Sequence, residues 1–283
     1  MKCVDPGANF ISWRDAARQL LAAKIPPQEV LWESAAGLFG ESVLEQAPVR
    51  PSAKVPAAFF ALAENVACHC DPSRWALLYR ILWRVVAEGE RHLLAIASDR
   101  DMAKARTLEK NVRREIHKMH AFVRFKLIDT DQVSGRERYA AWFEPEHFIL
   151  EAGAPFFKNR FTNMDWSIFT PKGCIHWNGQ LLSFTVGIPS NPVENPDALE
   201  AAWRVYYRNI FNPARLKVKA MQTEMPKRYW KNLPEAEIIE ELIGGSSQRV
   251  TEMLAEEPRP VKPQPKNAYL DKLRNLSNDE SAT

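Results

Sequence analysis

The pair Asn178-Gly179 sits between two short runs, residues 174–177 and 180–186, that read as strands. Asn-Gly is the strongest short hairpin signal, because a tight two-residue connection needs positive φ at both central positions. An antiparallel hairpin is therefore expected here, and its neighbours decide what sheet it joins. Upstream, residues 121–128 alternate, with Val123, Phe125 and Leu127 on one side and Arg124 and Lys126 on the other. Residues 129–137 read as a polar loop and 138–144 as a second strand. Pro145 starts a helix running to about Phe161, with Phe148, Ile149, Ala152 and Phe156 facing inward and Gly153 and Pro155 kinking or dividing it. The strand pattern resumes over 166–169, and Thr170-Pro171-Lys172-Gly173 is a tight turn. Strand, strand, helix, strand, strand, strand, with short turns and no regular crossover helices, predicts an α+β fold. Its core is an antiparallel four- to five-stranded sheet with a crossing helix, flanked by N-terminal and C-terminal helical regions.

The flanks carry helical periodicity. Trp13, Ala16, Ala17, Leu20 and Leu21 recur at helical spacing after a candidate N-cap at Ser12, and residues 29–32 read as a short strand. Asp71-Pro72 opens a helix that buries Leu77, Leu78, Ile81, Leu82, Val85 and Val86. Residues 102–119 are two-faced: Leu108, Val112, Ile116 and Met119 form the buried stripe, and Arg106, Lys110, Arg113 and His117 form another face, flanked by Arg114 and Lys118. Asp197 and Glu200 resemble a capping box before a helix burying Leu199, Ala202, Trp203, Tyr206 and Ile210. The expected organisation is one compact domain over 1–255 (helical 10–119, sheet 120–187, C-terminal helices 197–255) followed by a Pro-rich, disordered tail over 256–283.

Charge is distributed unevenly. Residues 203–233 carry eight basic side chains and one acid, a net of +7, in a chain whose total is +3, so the remainder sums to −4. Residues 104–126 add eight basic against two acidic, a net of +6. Like charges along one helix stripe repel by a few tenths of a kcal/mol per pair, and a polyanion would offset that cost. A merely solvated face is the alternative. The phosphate-binding candidates are Arg106, Lys110, Arg113, Arg114, His117, Lys118, Arg124, Arg215, Lys217, Lys219, Lys227, Arg228 and Lys231, with Tyr229 and Trp230 as base-stacking candidates.

Several function classes are excluded or left without support. There is no Gly-rich phosphate loop, no His-Glu-x-x-His, no Gly-x-Ser-x-Gly and no paired Cys-x-x-Cys. No apolar run reaches the ~18–20 residues of a membrane span, and the N-terminus lacks the apolar core of a signal peptide, so a cytoplasmic location is expected. The four cysteines, Cys3, Cys68, Cys70 and Cys174, are expected to be free thiols. Cys68-His69-Cys70 has ligand-type side chains, but a tetrahedral zinc site needs a second pair in similarly compact spacing and none is visible, so core packing is expected there and no metal or cofactor. Catalytic candidates are His117 and His120, three apart beside Arg113, Arg114 and Lys118, and the group Glu144, Glu146, His147, Glu151, Asp165 and His176, which matches no metal motif. Asp165 could equally pair with Arg160 to fix a helix-to-strand turn.

A resemblance begins at His117-Lys-Met-His-Ala-Phe-Val-Arg-Phe125 and continues through Trp142-Phe-Glu-Pro-Glu-His147, Ala154-Pro-Phe-Phe157, Trp166-Ser-Ile-Phe-Thr-Pro171 and His176-Trp-Asn-Gly179. Its strongest segments are Ile210-Phe-Asn-Pro-Ala-Arg-Leu-Lys-Val-Lys-Ala-Met221 and Met225-Pro-Lys-Arg-Tyr-Trp230. Over roughly residues 10–255 the chain resembles a bacterial domain family of unknown function associated with DNA metabolism or DNA repair. Members are encoded beside a DNA-repair radical-SAM protein and are sometimes fused to a UdgX-like uracil-DNA glycosylase. The resemblance implies DNA as a partner, with a radical-SAM enzyme or a uracil-DNA glycosylase as a second, and carries no known catalytic residues. The 29 residues after Leu254 are too short for a glycosylase domain, and Asn178 stands where fused relatives have Asp. The expectation is a DNA-binding accessory protein without catalysis of its own. The alternatives are a metal- or His-dependent nuclease or lyase, and a protein–protein adaptor that docks through the apolar tail residues Tyr269, Leu273 and Leu276.

Overall fold

The computed structural model of the protein describes residues 2–7, 9–33, 54–130, 135–192, 218–233 and 236–255. Lys2–Val4 (β1) pairs in parallel with Val30–Trp32 (β2), and between them runs Phe10–Ala22 (α1). The cap of α1 is Asn9 rather than Ser12: Asn9 Oδ1 accepts the Ser12 N–H at 3.0 Å. Ala57–Ala67 (α2), Arg74–Val86 (α3) and the 23-residue Arg100–Phe122 (α4) complete a helical half.

The sheet half contains Lys126–Thr130 (β3), Glu137–Trp142 (β4), Leu150–Arg160 (α5), Asp165–Thr170 (β5), Gly173–Trp177 (β6) and Leu182–Thr185 (β7). The five strands form one sheet in sequence order, within the α+β class expected. One pairing differs from an all-antiparallel sheet: β4 and β5 are parallel, Tyr139 opposite Trp166. The chain leaves the end of β4 and returns through α5 to the start of β5, which is what a parallel neighbour demands. The β6–β7 hairpin forms, but with a four-residue connection over 178–181 instead of a two-residue turn, and Trp177 pairs with Leu182. Gly179 has φ +85° while Asn178 is not at positive φ, and Asn178 Oδ1 accepts the N–H groups of Gln180 and Leu181. The positive φ is what favours glycine there; a Cβ on Gly179 would also stand 2.6 Å from the Arg136 guanidinium, the end of a flexible side chain that would have to shift.

α5 also differs from its predicted form. It starts at Leu150 and continues through Pro155 without dividing, and it buries Leu150, Gly153, Ala154 and Phe157. Phe148 and Phe156, expected inside, are exposed. The residues after Pro145 form a turn instead of the first helical turn, and this shifts the inward face by one position.

Val218–Glu224 (α6), a 3₁₀ turn over Lys227–Asn232, Ala236–Gly244 (α7) and Ser246–Ala255 (α8) follow. Trp203, Tyr206 and Ile210, and the tail over 256–283, lie outside the described residues.

There are two apolar cores. The first gathers Trp13, Leu20, Phe59, Val66, Trp75, Leu78 and Tyr79. The second gathers Phe125, Phe143, Ile149, Phe157, Trp166, Ile168, Ile175 and Tyr229. The helix α4, about 34 Å long at 1.5 Å per residue, enters both, with Met102, Ala105 and Leu108 in the first and Val112 and Met119 in the second.

The start of α4 is pinned by charge. Asp99 caps it, accepting the N–H groups of Asp101 and Met102, and Arg84 binds Asp99, Glu90 and Asp101 at 2.8–3.1 Å. Arg84 holds the Asp99 carboxyl, and Arg80 the Asp101 carboxyl, below the usual carboxylate range. Because the folded pKa is the lower one, this stabilisation is complete above about pH 4 and is lost as pH falls through the folded values. Asp99→Ala is expected to lower the unfolding free energy by about 1–2 kcal/mol. Urea denaturation at pH 7 and pH 3 measures it, and the deficit relative to wild type should shrink at the lower pH.

Candidate nucleic-acid interface

The periodicity that turns Leu108, Val112 and Met119 into the cores turns the cations of α4 outward. Arg106, Lys110, Arg113, Arg114, His117 and Lys118, with Glu109 and with Glu224 of α6, line a groove of about 610 Å³. Lys110, Arg113, Arg114 and His117 are exposed and make no hydrogen bond or ion pair among the described residues. Arg106 Nη2 donates to the Leu94 carbonyl at 2.7 Å. Lys118 Nζ donates to the Thr223 carbonyl at 3.2 Å, which holds α6 against α4. Burial, then the repulsion of Arg114 and Arg228, keeps the Lys118 ammonium below the ordinary lysine pKa. An anion in the groove would meet a concentration of positive charge that the protein itself leaves uncompensated.

The C-terminal basic cluster is engaged differently. Arg228 donates to Glu146 Oε2 at 2.5 Å, to Glu115 Oε1 at 3.0 Å and to the Tyr229 hydroxyl at 2.7 Å. Lys231 Nζ reaches Glu144 Oε2 at 2.6 Å. Tyr229 is not a base-stacking platform. Its ring is buried and stacked on Phe143, centroids 5.3 Å apart at 11°, because the 3₁₀ turn drives it into the second core. Burial pushes its hydroxyl up to about 12, so it remains a donor, to Glu115 at 3.3 Å. Trp230 is half-buried, with Nε1 donating to the Met225 carbonyl and Lys227 Nζ over its ring at 5.6 Å. Arg124 Nη1 donates to the Ala121 carbonyl at 2.6 Å, a cation on the last turn of α4. Arg215 and Lys217 lie outside the described residues, and so does the Lys219 side chain.

The catalytic candidates do not assemble into a site. His120 packs on Phe156, centroids 4.1 Å apart at 17°, and its Nε2 donates to the Gly153 carbonyl at 3.1 Å. Burial lowers its pKa, so it is a neutral packing residue, and only His117 faces the groove. Glu144 accepts from Trp142 Nε1 and Lys231; burial raises its pKa, but these two bonds outweigh that and hold it low. Asp165 pairs with Arg136 at 2.7 Å, not with Arg160. His176 bridges Ser167 and Thr185 across three strands at 2.8 and 2.9 Å.

Two features were missed by sequence reasoning. Glu115 is buried at 2 % side-chain exposure, and its two oxygens accept the N–H groups of Glu146 at 2.9 Å and His147 at 2.7 Å. The signal was available: Glu115 stands three residues after Val112 and four before Met119, an acid on the apolar stripe. The other is a third ligand-type side chain beside Cys68-His69-Cys70. His147, 77 residues beyond Cys70, brings its ring to 4.1 Å from that of His69. The second compact pair that would have signalled it is absent from the sequence, so spacing could not reveal it.

A family model described as a domain of unknown function, DUF4130, matches residues 72–235, a span that includes α4, the whole sheet and the 3₁₀ turn. No curated protein and no solved structure matches the chain.

Proposed function

The chain belongs to the DUF4130 family of domains of unknown function, and from the uncompensated cation face of α4 we propose that it is a nucleic-acid-binding accessory protein of DNA metabolism. The observation that carries this is the set Lys110, Arg113, Arg114 and His117, exposed on one face with no internal partner among the described residues. Contrast supports it: Lys231 and Arg228 near the C-terminal turn are answered by three carboxylates, Glu144, Glu146 and Glu115, whereas the α4 groove holds five Lys and Arg against two carboxylates. Residues 106 to 117 rise about 17 Å along the helix, which suits several successive phosphates. Among the described residues the groove is lined by charge and one imidazole, His117, with no Phe, Tyr or Trp, so binding is to backbone and only weakly to sequence. The resemblance to DNA-repair-associated proteins selects DNA over other polyanions, and a separate radical-SAM enzyme or uracil-DNA glycosylase as the partner that does the chemistry. Glu144, Asp165 and His120 are held in internal contacts and lend no support to a nuclease or lyase.

Fluorescence anisotropy with single- and double-stranded oligonucleotides across salt is the test. With about four phosphates neutralised, log affinity should fall against log salt with a slope of about −3 to −4. Absence of binding at low salt, or a slope near zero, would remove the proposal.

A further inference from the structure

We propose that His69, Cys70 and His147 bind one zinc ion, which ties the helical half of the molecule to the sheet half. His69 and Cys70 lie in the loop between α2 and α3, and His147 lies in the turn between β4 and α5. One nitrogen of each imidazole and the Cys70 sulfur lie within 4.8 Å of one another. Ligands on a tetrahedral zinc, at bond lengths of 2.0–2.3 Å, stand about 3.3–3.6 Å apart. The approach needed is about an ångström, within the reach of a half-buried Cys70 side chain that makes no hydrogen bond among the described residues.

The donor chemistry selects the ion. Two imidazoles and a thiolate suit a borderline-soft metal, and the cluster has none of the oxygen ligands magnesium or calcium would need. Both rings are buried, so the ion would sit in low dielectric, where its bonds are not competed by bulk water. Each ring accepts a backbone N–H at Nδ1, from Asp71 at 3.0 Å in His69 and from Cys70 at 3.4 Å in His147, so both are neutral imidazoles. Binding through Nε2 moves the ring proton to Nδ1, and binding through Nδ1 puts the metal there; either way the backbone N–H now donated to Nδ1 must turn away. The Cys70 thiol releases its proton to solvent and binds as thiolate. Cys68 stays out, since its Sγ turns back to the Glu64 carbonyl at 3.4 Å. Three protein ligands leave a fourth position for water or an exchangeable ligand.

The full chain, stripped with chelator and reloaded with Zn²⁺ or with Co²⁺, gives the test. The wild type should retain one metal per chain, melt at a higher temperature with zinc than without, and show a thiolate-to-cobalt charge-transfer band in the near ultraviolet. Cys70→Ser should abolish the band, His147→Ala should abolish stoichiometric retention, and Cys68→Ser should leave both intact. Because His147→Ala also removes a packed ring, the near-isosteric Cys70→Ser decides the matter. Substoichiometric metal in the wild type, or a band that survives Cys70→Ser, would overturn the assignment. Metal content is read without nucleic acid, so its failure and that of the DNA-binding reading are separable.

Discussion

Glu115→Ala is expected to lower the unfolding free energy by about 3–5 kcal/mol, the range seen when one partner of a buried charged network is removed. Its carboxylate is the acceptor for two consecutive backbone N–H groups, one per oxygen, in the turn that leads from β4 into α5. Without it the His147 N–H is buried with no acceptor, at about 1–3 kcal/mol, and the half-buried Glu146 N–H costs less. The Arg228 arm adds less, because that guanidinium is half in water and keeps Glu146. Glu115→Gln should be nearly as harmful, since its amide NH₂ would face one of the two N–H groups, donor against donor. Urea denaturation with an unchanged slope would report both, with Glu109→Gln on the same helix as a near-neutral control. A Glu115→Gln protein as stable as wild type would show that the two-oxygen grip on the turn is not what holds it.

The double variant Arg113→Glu with Arg114→Glu is expected to weaken DNA binding at least tenfold at moderate salt and to flatten the salt dependence by about two units of slope, one per lost phosphate contact. Its stability should stay within about 0.5 kcal/mol of wild type, because both side chains are exposed and unpaired. Lys231→Ala should leave the affinity nearly unchanged, since that ammonium answers Glu144. Were Lys231→Ala to weaken binding as much as the double variant, the interface would lie over the C-terminal turn instead of along α4.

How much of this was legible in the sequence depends on the distance over which the physics acts. The inward stripe of α4 was readable because helical periodicity repeats over six turns, and the Asn178-Gly179 hairpin because a turn is a local event. The parallel pairing of β4 and β5 was not, since the single helix between them reads as crossing the sheet and not as a crossover that returns the chain to the same end. The face of α5 was misjudged by one position because a turn after Pro145 delays the helix to Leu150. The candidate site divides the same way. The exposed cations of α4 are where their spacing places them, whereas Arg228 and Lys231 meet Glu146 and Glu144 across 82 and 87 residues. Two constellations that looked like separate chemical opportunities in the sequence, a basic cluster and an acidic one, meet in the fold where Arg228 and Lys231 pair with Glu146 and Glu144. No local pattern carries that information.

The length of α4 has a consequence for how the molecule comes apart. Neither core can surrender its share of the helix without stripping apolar cover from the other, because Leu108 and Val112 are one turn apart and belong to different cores. Fraying from either end must pass through that shared turn. Helix α4 is therefore expected to make the helical and sheet halves unfold together, with the backbone amides around residues 108–112 the last to open in native-state hydrogen exchange.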